Sequence, residues 1–211
     1  AGSTIGLKAG ERISIRDLLE GLLLASANDA AEALAIEEAG SVSAFVDAMN
    51  ERARTLGMGH TRFASTHGLD DRGKSSASDL LHLYREASTI PTFARLVQRR
   101  VAVIRSDRAP LRHVQNRNVL LWLYPGATGV KTGYTAGAGY CLIATAQREF
   151  PNLGANGTGP GKRRLLTVVL NTTSTEARAG ESQKLLNFGF QAYDTVQLYQ
   201  SGKPVASLKV W

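Results

Sequence analysis

Apolar residues recur at helical spacing through most of the N-terminal half of the chain. Five stretches with this spacing predict helices, at 15–25, 30–39, 41–56, 76–87 and a shorter one that starts at Pro91. Ser14–Asp17 and Ser76–Asp79 place a serine where its hydroxyl accepts an N–H of the first helical turn. Gly40 follows the second stretch, as glycine commonly does where a helix ends. The first three of these helices are predicted to form an all-helical part.

Beyond residue 100 the apolar positions alternate with the period of a strand. Strands are predicted at 100–104, 111–114, 129–135, 140–147 and 165–171. Arg148–Lys162 is rich in glycine, asparagine and proline, and is predicted to be a long loop. A last helix is expected at 175–192 with Leu185, Leu186 and Phe188 facing inward, and then strands at 195–199 and 205–210. The order predicts an α+β fold, an antiparallel sheet covered by helices plus an all-helical subdomain.

Composition and charge narrow the classes of protein to which the chain can belong. The 211 residues carry 25 Lys+Arg against 18 Asp+Glu, a net charge of +7, and 43% are hydrophobic, enough for a sizeable core. Basic residues are scattered, so a solvated surface is favoured over nucleic-acid binding. No apolar run reaches the roughly 18 residues of a membrane span, and no signal peptide is evident, so any membrane contact would come through segments not present here.

Metal and disulfide chemistry find little support in the sequence. Cys141 is the only cysteine and lies in an apolar run, so it is interpreted as a core residue. The histidines have no metal-ligand spacing, and no metal or cofactor is expected.

The segment Gly129–Thr135 sets a lysine, a threonine and a glycine side by side in a predicted edge strand. A missing side chain at Gly133 would let another backbone lie against the strand. Such an edge can pair with an extended peptide, and Lys131 with Thr132 can hold its carboxylate. Taken alone the tripeptide also fits an ordinary exposed strand end.

A second polar group interrupts the helices at Ser26-Ala27-Asn28-Asp29. On its own it fits helix capping, in which Asn28 or Asp29 begins the next helix. Together with Lys-Thr-Gly, however, Ser-x-Asn belongs to the signature of penicillin-binding proteins and class A β-lactamases.

The chain resembles the low-molecular-mass penicillin-binding proteins of the D-alanyl-D-alanine carboxypeptidase type. The resemblance runs in the family's order and spacing from Ala1 to about Tyr193. It is carried by Gly2-Ser3-Thr4, Leu7-Lys8-Ala9-Gly10-Glu11, Asp17-Leu18-Leu19, Ser26-Ala27-Asn28-Asp29-Ala30, Phe45-Val46, Met49-Asn50, Leu56-Gly57-Met58, His67-Gly68-Leu69-Asp70 and Lys131-Thr132-Gly133. It implies a β-lactamase-like fold, with residues 1–193 as a transpeptidase-like catalytic domain without its N-terminal segment and 194–211 as the beginning of a β-rich domain.

The third part of the family signature is absent, because no serine of the chain has a lysine three positions on. In the family this Ser-x-x-Lys motif carries the nucleophile and lies upstream of the position of Ala1. The resemblance therefore implies a nucleophile supplied outside this chain, with a second polypeptide as one possible source.

The resemblance also assigns roles. Lys131 and Thr132 would grip the terminal carboxylate of a peptidoglycan stem peptide, and Gly133 would let the peptide pair with the strand. The Tyr134 N–H would donate to the oxyanion. Ser26 would relay a proton to the leaving amine.

Asn28 would hold the substrate amide, and His67 lies at a family position near the active-site wall. The expected catalytic set is Ser26, Asn28 and Lys131.

The implied activity is a penicillin-sensitive, serine-type D-alanyl-D-alanine carboxypeptidase that works through an acyl-enzyme. β-Lactam antibiotics are then expected ligands, and the bacterial cell envelope, in the periplasm or on the outer face of the cytoplasmic membrane, is the expected location. Two alternatives stay open. One is a non-catalytic binder of D-alanyl peptides. The other is a β-lactamase, which is disfavoured because the chain has no Glu-x-x-x-Asn motif for deacylation.

Overall fold

The computed structural model describes residues 2–150, 161–193, 202 and 204–208. Its helices are α1 (Ile15–Ala25), α2 (Asn28–Ala39), α3 (Val42–Thr55), α4 (Ala77–Ala87), α5 (Pro91–Val97), α6 (Leu120–Leu123) and α7 (Thr175–Ala192). Its strands are β1 (Val101–Ile104), β2 (Arg112–Gln115), β3 (Ala127–Thr135), β4 (Gly139–Phe150) and β5 (Gly161–Thr172). The predicted α+β class is confirmed.

The strands form two antiparallel sheets. β1 and β2 make a hairpin, and the main sheet has the order β3-β4-β5. β3 is at the edge of this sheet, as predicted, and it pairs with β4 in a register that sets Thr132 opposite Leu142 and Gly133 opposite Cys141. On its other side β3 pairs with no strand in the described part of the chain.

Two apolar cores hold these layers together. Helix α7 covers β4 and β5, and Leu142, Leu186 and Phe190 are buried between them. The second core joins the helical part to the β1–β2 hairpin through Leu24 and Ile104, both fully buried. Burial of each such side chain contributes about 2 kcal/mol, so the two cores fix the sheet and α1 in place.

Helix starts follow the sequence closely. Ser14 and Ser76 accept the N–H groups of Asp17 and Asp79, which confirms both predicted caps. Ser174 caps α7 in the same way. No helix among the described residues is both long and apolar enough to cross a bilayer.

The loop predicted at 148–162 was wrong at both of its ends. Arg148–Phe150 and Gly161–Lys162 are not loop, because the pairing of β4 with β5 runs out to Phe150 opposite Gly161. The Phe150 ring stacks on Phe190, with 6.2 Å between centroids, and this contact favours the longer strands. The short helix α6 was not anticipated.

In α7, Leu186 faces inward as predicted, whereas Leu185 and Phe188 are 46% and 57% exposed. Phe190 takes the inward position instead, one helical turn after Leu186. The strand expected at 205–210 is not formed at 205–208, and the strand expected at 195–199 lies outside the described residues. The proposed division at residue 193 stays a prediction.

Candidate active site

Ser26 stands at the end of α1 in the left-handed region, with φ 60° and ψ 41°. Its N–H donates to Gly21 O and closes the helix. A left-handed residue at this position turns the chain sharply, and α2 starts two residues later at Asn28. The alternative in which Asn28 or Asp29 caps α2 is wrong, because the N-cap position is Ala27 and both residues lie in the first turn. The turn presents the Ser26 side chain outside both helices.

Lys131 reaches this turn from β3, although it lies 105 positions away in the sequence. Its ammonium donates to Ser26 Oγ at 2.8 Å and to the Thr132 carbonyl at 2.8 Å. The two sequence motifs therefore meet in space, as the resemblance implied.

Exposure increases from the start of β3 to its end. Val130 and Thr132 are buried, Lys131 is partly buried, and Gly133 and Tyr134 are exposed. At Gly129 an added Cβ would stand 3.0 Å from Val97 Cγ2, so α5 packs closely there. At Gly133 it would meet only Cys141 Cβ at 3.9 Å, an ordinary contact. The strand is covered at its start and open from Gly133 onward.

Two arginines join Lys131. Arg178, in the first turn of α7, is 8% exposed and donates to the Gly133 carbonyl at 3.0 Å. Burial, and after it the positive charges of Arg117 and Arg178, lower the pKa of Lys131 from 10.5 to about 8. Burial also lowers the pKa of Arg178.

None of these cations forms a salt bridge among the described residues. The carboxylate of Glu176 offsets only part of the lowering of the Arg178 pKa. The positive charges of Arg117 and Arg178 act on Lys131, and three positive groups in one place create a potential that favours a bound anion.

Two buried asparagines flank Arg117 and hold the turn on which it lies. Asn116 accepts the Asn118 N–H at 2.9 Å and donates to the Arg99 carbonyl at 3.0 Å. Asn118 in turn accepts the Leu120 N–H at 3.1 Å. Both amide side chains point inward, so Arg117, which lies between them, is exposed on the same turn.

The backbone N–H of Asn28 donates to Ser3 O at 2.7 Å, and a side chain at Gly2 would collide with the Asn28 amide. Asp29 accepts the N–H groups of Ile5 and Leu7 at 3.1 and 3.0 Å. Residues 2–7 are therefore fastened along the start of α2, beside the Ser26 turn.

His67 is not brought into contact with Ser26 or Lys131. Its Nδ1 accepts the Leu69 N–H at 3.3 Å, which leaves Nε2 to face Glu32 Oε1 at 3.3 Å. A direct role for His67 stays a prediction.

Cys141 was interpreted as a core residue, but it is only partly buried. The reason is its partner in the sheet: Gly133 has no side chain to cover it.

Sequence reasoning missed Arg117 and Arg178. Both lie in polar stretches where an arginine is ordinarily solvated, and no local pattern separates them from the other arginines. The described residues contain no group of three or more histidine, cysteine, aspartate or glutamate side chains able to hold a metal ion.

The fold and the site together define a penicillin-binding, DD-peptidase class of protein. The crystal structure of a DD-transpeptidase from Streptomyces superposes with a TM-score of 0.79 at 32% identity, over 90% of this chain and 72% of that one. The D-alanyl-D-alanine carboxypeptidase DacD from Francisella tularensis superposes with a TM-score of 0.82 at 30% identity, over 97% and 59%.

The family profile of D-alanyl-D-alanine carboxypeptidases, peptidase family S11, matches residues 1–174, and the chain belongs to this family. D-alanyl-D-alanine carboxypeptidase DacD of Escherichia coli is 39% identical over 212 residues, 99% of this chain and 50% of that protein. The chain spans about half the length of the curated relatives it matches.

Proposed function

We propose that the chain forms most of the catalytic domain of a serine-type D-alanyl-D-alanine carboxypeptidase, which removes the last D-alanine of peptidoglycan stem peptides through an acyl-enzyme. The observation that carries the proposal is the Lys131 side chain, held on an open strand edge between Ser26 and two arginines. This arrangement suits a peptide that ends in a carboxylate, because the edge binds its backbone and the cations bind its charge.

In this proposal the terminal carboxylate lies against Lys131, Thr132 and Arg178. Arg117 adds positive potential without a direct contact. The substrate backbone extends along β3 past Gly133, where the lack of a side chain leaves room for it. The Tyr134 N–H donates to the oxyanion of the tetrahedral intermediate, a contact whose loss costs on the order of 3 kcal/mol.

Ser26 and Asn28 serve the chemical step. Ser26 Oγ already accepts a hydrogen bond from Lys131 at 2.8 Å, so it can pass a proton to the departing D-alanine amine. Asn28 holds the amide of the substrate. The attacking serine and its lysine lie outside the 211 residues, since no Ser-x-x-Lys occurs in them. We expect them either in another segment of a longer chain or on a second polypeptide.

β-Lactam antibiotics are the expected inhibitors, because they carry a carboxylate next to a reactive amide and would form a stable acyl-enzyme. The expected location is the bacterial cell envelope, where peptidoglycan is found. His67 would line the wall of the cleft through its contact with Glu32.

A denaturing intact-mass measurement after incubation with a penicillin tests the proposal. The protein is purified with whatever segments accompany it in the cell, and release of D-alanine from an acetylated stem peptide is measured in parallel. We expect one penicillin adduct on a polypeptide segment that contains Ser-x-x-Lys, together with D-alanine release that the penicillin abolishes. A matched peptide with a C-terminal amide should not be cleaved.

Three other outcomes would argue against the proposal. Rapid turnover of the penicillin without a lasting adduct would indicate a β-lactamase. Peptide binding without an adduct or D-alanine release would indicate a non-catalytic binder. Equal cleavage of the acid and amide peptides would remove the role assigned to the cations.

A further inference from the structure

Ser26 and Lys131 have the geometry of a complete serine–lysine pair. Nζ and Oγ are 2.8 Å apart, within the distance that proton transfer requires. Serine–lysine pairs activate the nucleophile in several unrelated hydrolases, where the lysine acts as the base. The site assigned above uses Ser26 only to relay a proton, so the nucleophilic capacity of this pair has no assigned use.

The backbone conformation at Ser26 fixes the direction in which its side chain leaves the chain. Ser26 has a φ of 60° at the junction of two helices, a conformation that a residue with a side chain adopts only when its surroundings hold it there. The preceding Leu24 and the following Ala27 are both fully buried. The direction of the Ser26 Cβ is thus fixed, and the hydrogen bond from Lys131 holds Oγ at 2.8 Å.

The surroundings of Lys131 make the loss of its proton easier, and a base requires the neutral form. Partial burial and the charges of Arg117 and Arg178 disfavour the ammonium, and its pKa is lowered to about 8. The same two arginines supply positive potential for an oxyanion and for an anionic substituent on an acyl group.

We propose that Ser26, with Lys131 as its base, is itself a nucleophile towards small activated acyl esters that carry a carboxylate. This activity is distinct from the peptidase reaction proposed above and does not depend on it.

Ser26, Lys131 and water account for every bond and proton in this reaction. Neutral Lys131 Nζ takes the proton of Ser26 Oγ as Oγ bonds to the acyl carbon. The tetrahedral intermediate then breaks its bond to the leaving aryl oxygen, which departs as the phenolate. The lysine ammonium returns its proton to solvent. Neutral Lys131 later takes a proton from water as the water oxygen bonds to the acyl carbon. The bond between this carbon and Ser26 Oγ then breaks, Oγ takes the proton from the lysine ammonium, and the free acid leaves.

The test uses the 211-residue chain, which has no Ser-x-x-Lys serine to compete. The chain is incubated with the mono-p-nitrophenyl ester of succinic acid, and with p-nitrophenyl butyrate as the uncharged ester with the same number of acyl carbons. Phenolate release is followed by absorbance, and peptide mapping locates the acyl group. We expect the acyl group on Ser26, and acylation about tenfold faster or more with the charged ester.

Three variants separate the roles. Ser26→Gly removes the hydroxyl but tolerates the positive φ, so the fold is kept while Ser26 acylation is lost. Lys131→Arg keeps the charge but provides no base, and it should slow acylation by about 100-fold, the lower end of the contribution of a general base. Ser88→Gly makes the same substitution at the C-cap of α4, where the serine hydroxyl donates to Arg85 O, and it should leave acylation unchanged.

The pH dependence of the acylation rate distinguishes Lys131 as a base from Lys131 in a purely structural role. The rate should rise as the pH passes through about 8 in the unsubstituted chain and should lose this rise in Lys131→Arg. The proposal is overturned if the acyl group maps to another residue, if Ser26→Gly is acylated as fast as the unsubstituted chain, or if a chain with native circular dichroism is not acylated. None of these outcomes bears on D-alanine release by the longer protein, so the two proposals fail separately.

Discussion

Replacing Arg178 by methionine gives the sharpest test of the carboxylate site. Arg178 is 8% exposed and donates to the Gly133 carbonyl, so its charge is held beside the open strand edge. A hydrogen bond to a charged group contributes about 2 kcal/mol. Its loss would weaken binding of a peptide that ends in D-alanyl-D-alanine by about 30-fold.

The fold should tolerate this change. Methionine is similar in length to the aliphatic part of arginine, and water can replace the guanidinium at the exposed Gly133 carbonyl. Removing one of three neighbouring cations also relieves repulsion. The pKa of Lys131 should therefore rise towards its ordinary value, because the charge of Arg178 is one of the causes that lower it.

Titration calorimetry measures how tightly the unsubstituted chain and Arg178→Met each bind the acid peptide and its C-terminal amide. These four affinities form a double-mutant cycle. Arg164→Met is the matched control, since it makes the same change in net charge at an exposed arginine on β5. The unsubstituted chain should prefer the acid peptide, and Arg178→Met should lose most of this preference. Equal weakening by Arg164→Met, or acid-peptide binding by Arg178→Met within twofold of the unsubstituted chain, would refute the reasoning.

Three further predictions follow from the same structure. Gly133→Val should change the melting temperature little, because a Cβ there meets only Cys141 at 3.9 Å, but it should abolish peptide binding by calorimetry if the peptide lies along β3. Glu11→Gln should lower the free energy of unfolding by about 3 kcal/mol in urea, because it leaves the largely buried Arg112 without its partner. Since Arg112 lowers the pKa of Glu11 from 4.5 to about 2, the unsubstituted chain should lose more stability than Glu11→Gln as the pH falls through that window. Peptide affinity should fall as the pH rises through about 8, where Lys131 loses its charge, whereas a flat profile would exclude Lys131 from the carboxylate site.

The elements that the sequence predicted well are those with long, local signals. Helices α1, α4 and α7 begin at serine caps. An edge strand was expected at β3 because a turn precedes it and a second apolar run follows it after a glycine-rich link. The meeting of Ser26 with Lys131 was implied by the family resemblance, since no spacing rule connects residues 105 positions apart.

What the sequence missed depends on packing between distant segments. Arg178 reaches Gly133 O across 45 positions, and this contact follows from the way α7 lies on the sheet. Helix α6 has four residues, too few to show a helical period. The extension of β4 and β5 was hidden by the glycines and prolines between them, while the aromatic contact of Phe150 that favours it is visible only in three dimensions.

Asp29 links parts of the molecule that the chain order separates. One carboxylate accepts the backbone N–H groups of Ile5 and Leu7 and, within its own helix, that of Ala30. The first residues of the chain are thus fastened to the helix that presents Asn28. Removing residues from the amino end would therefore impair ligand binding before it reduced the helix content. In a series of progressively shortened chains, these two properties would be lost at different lengths.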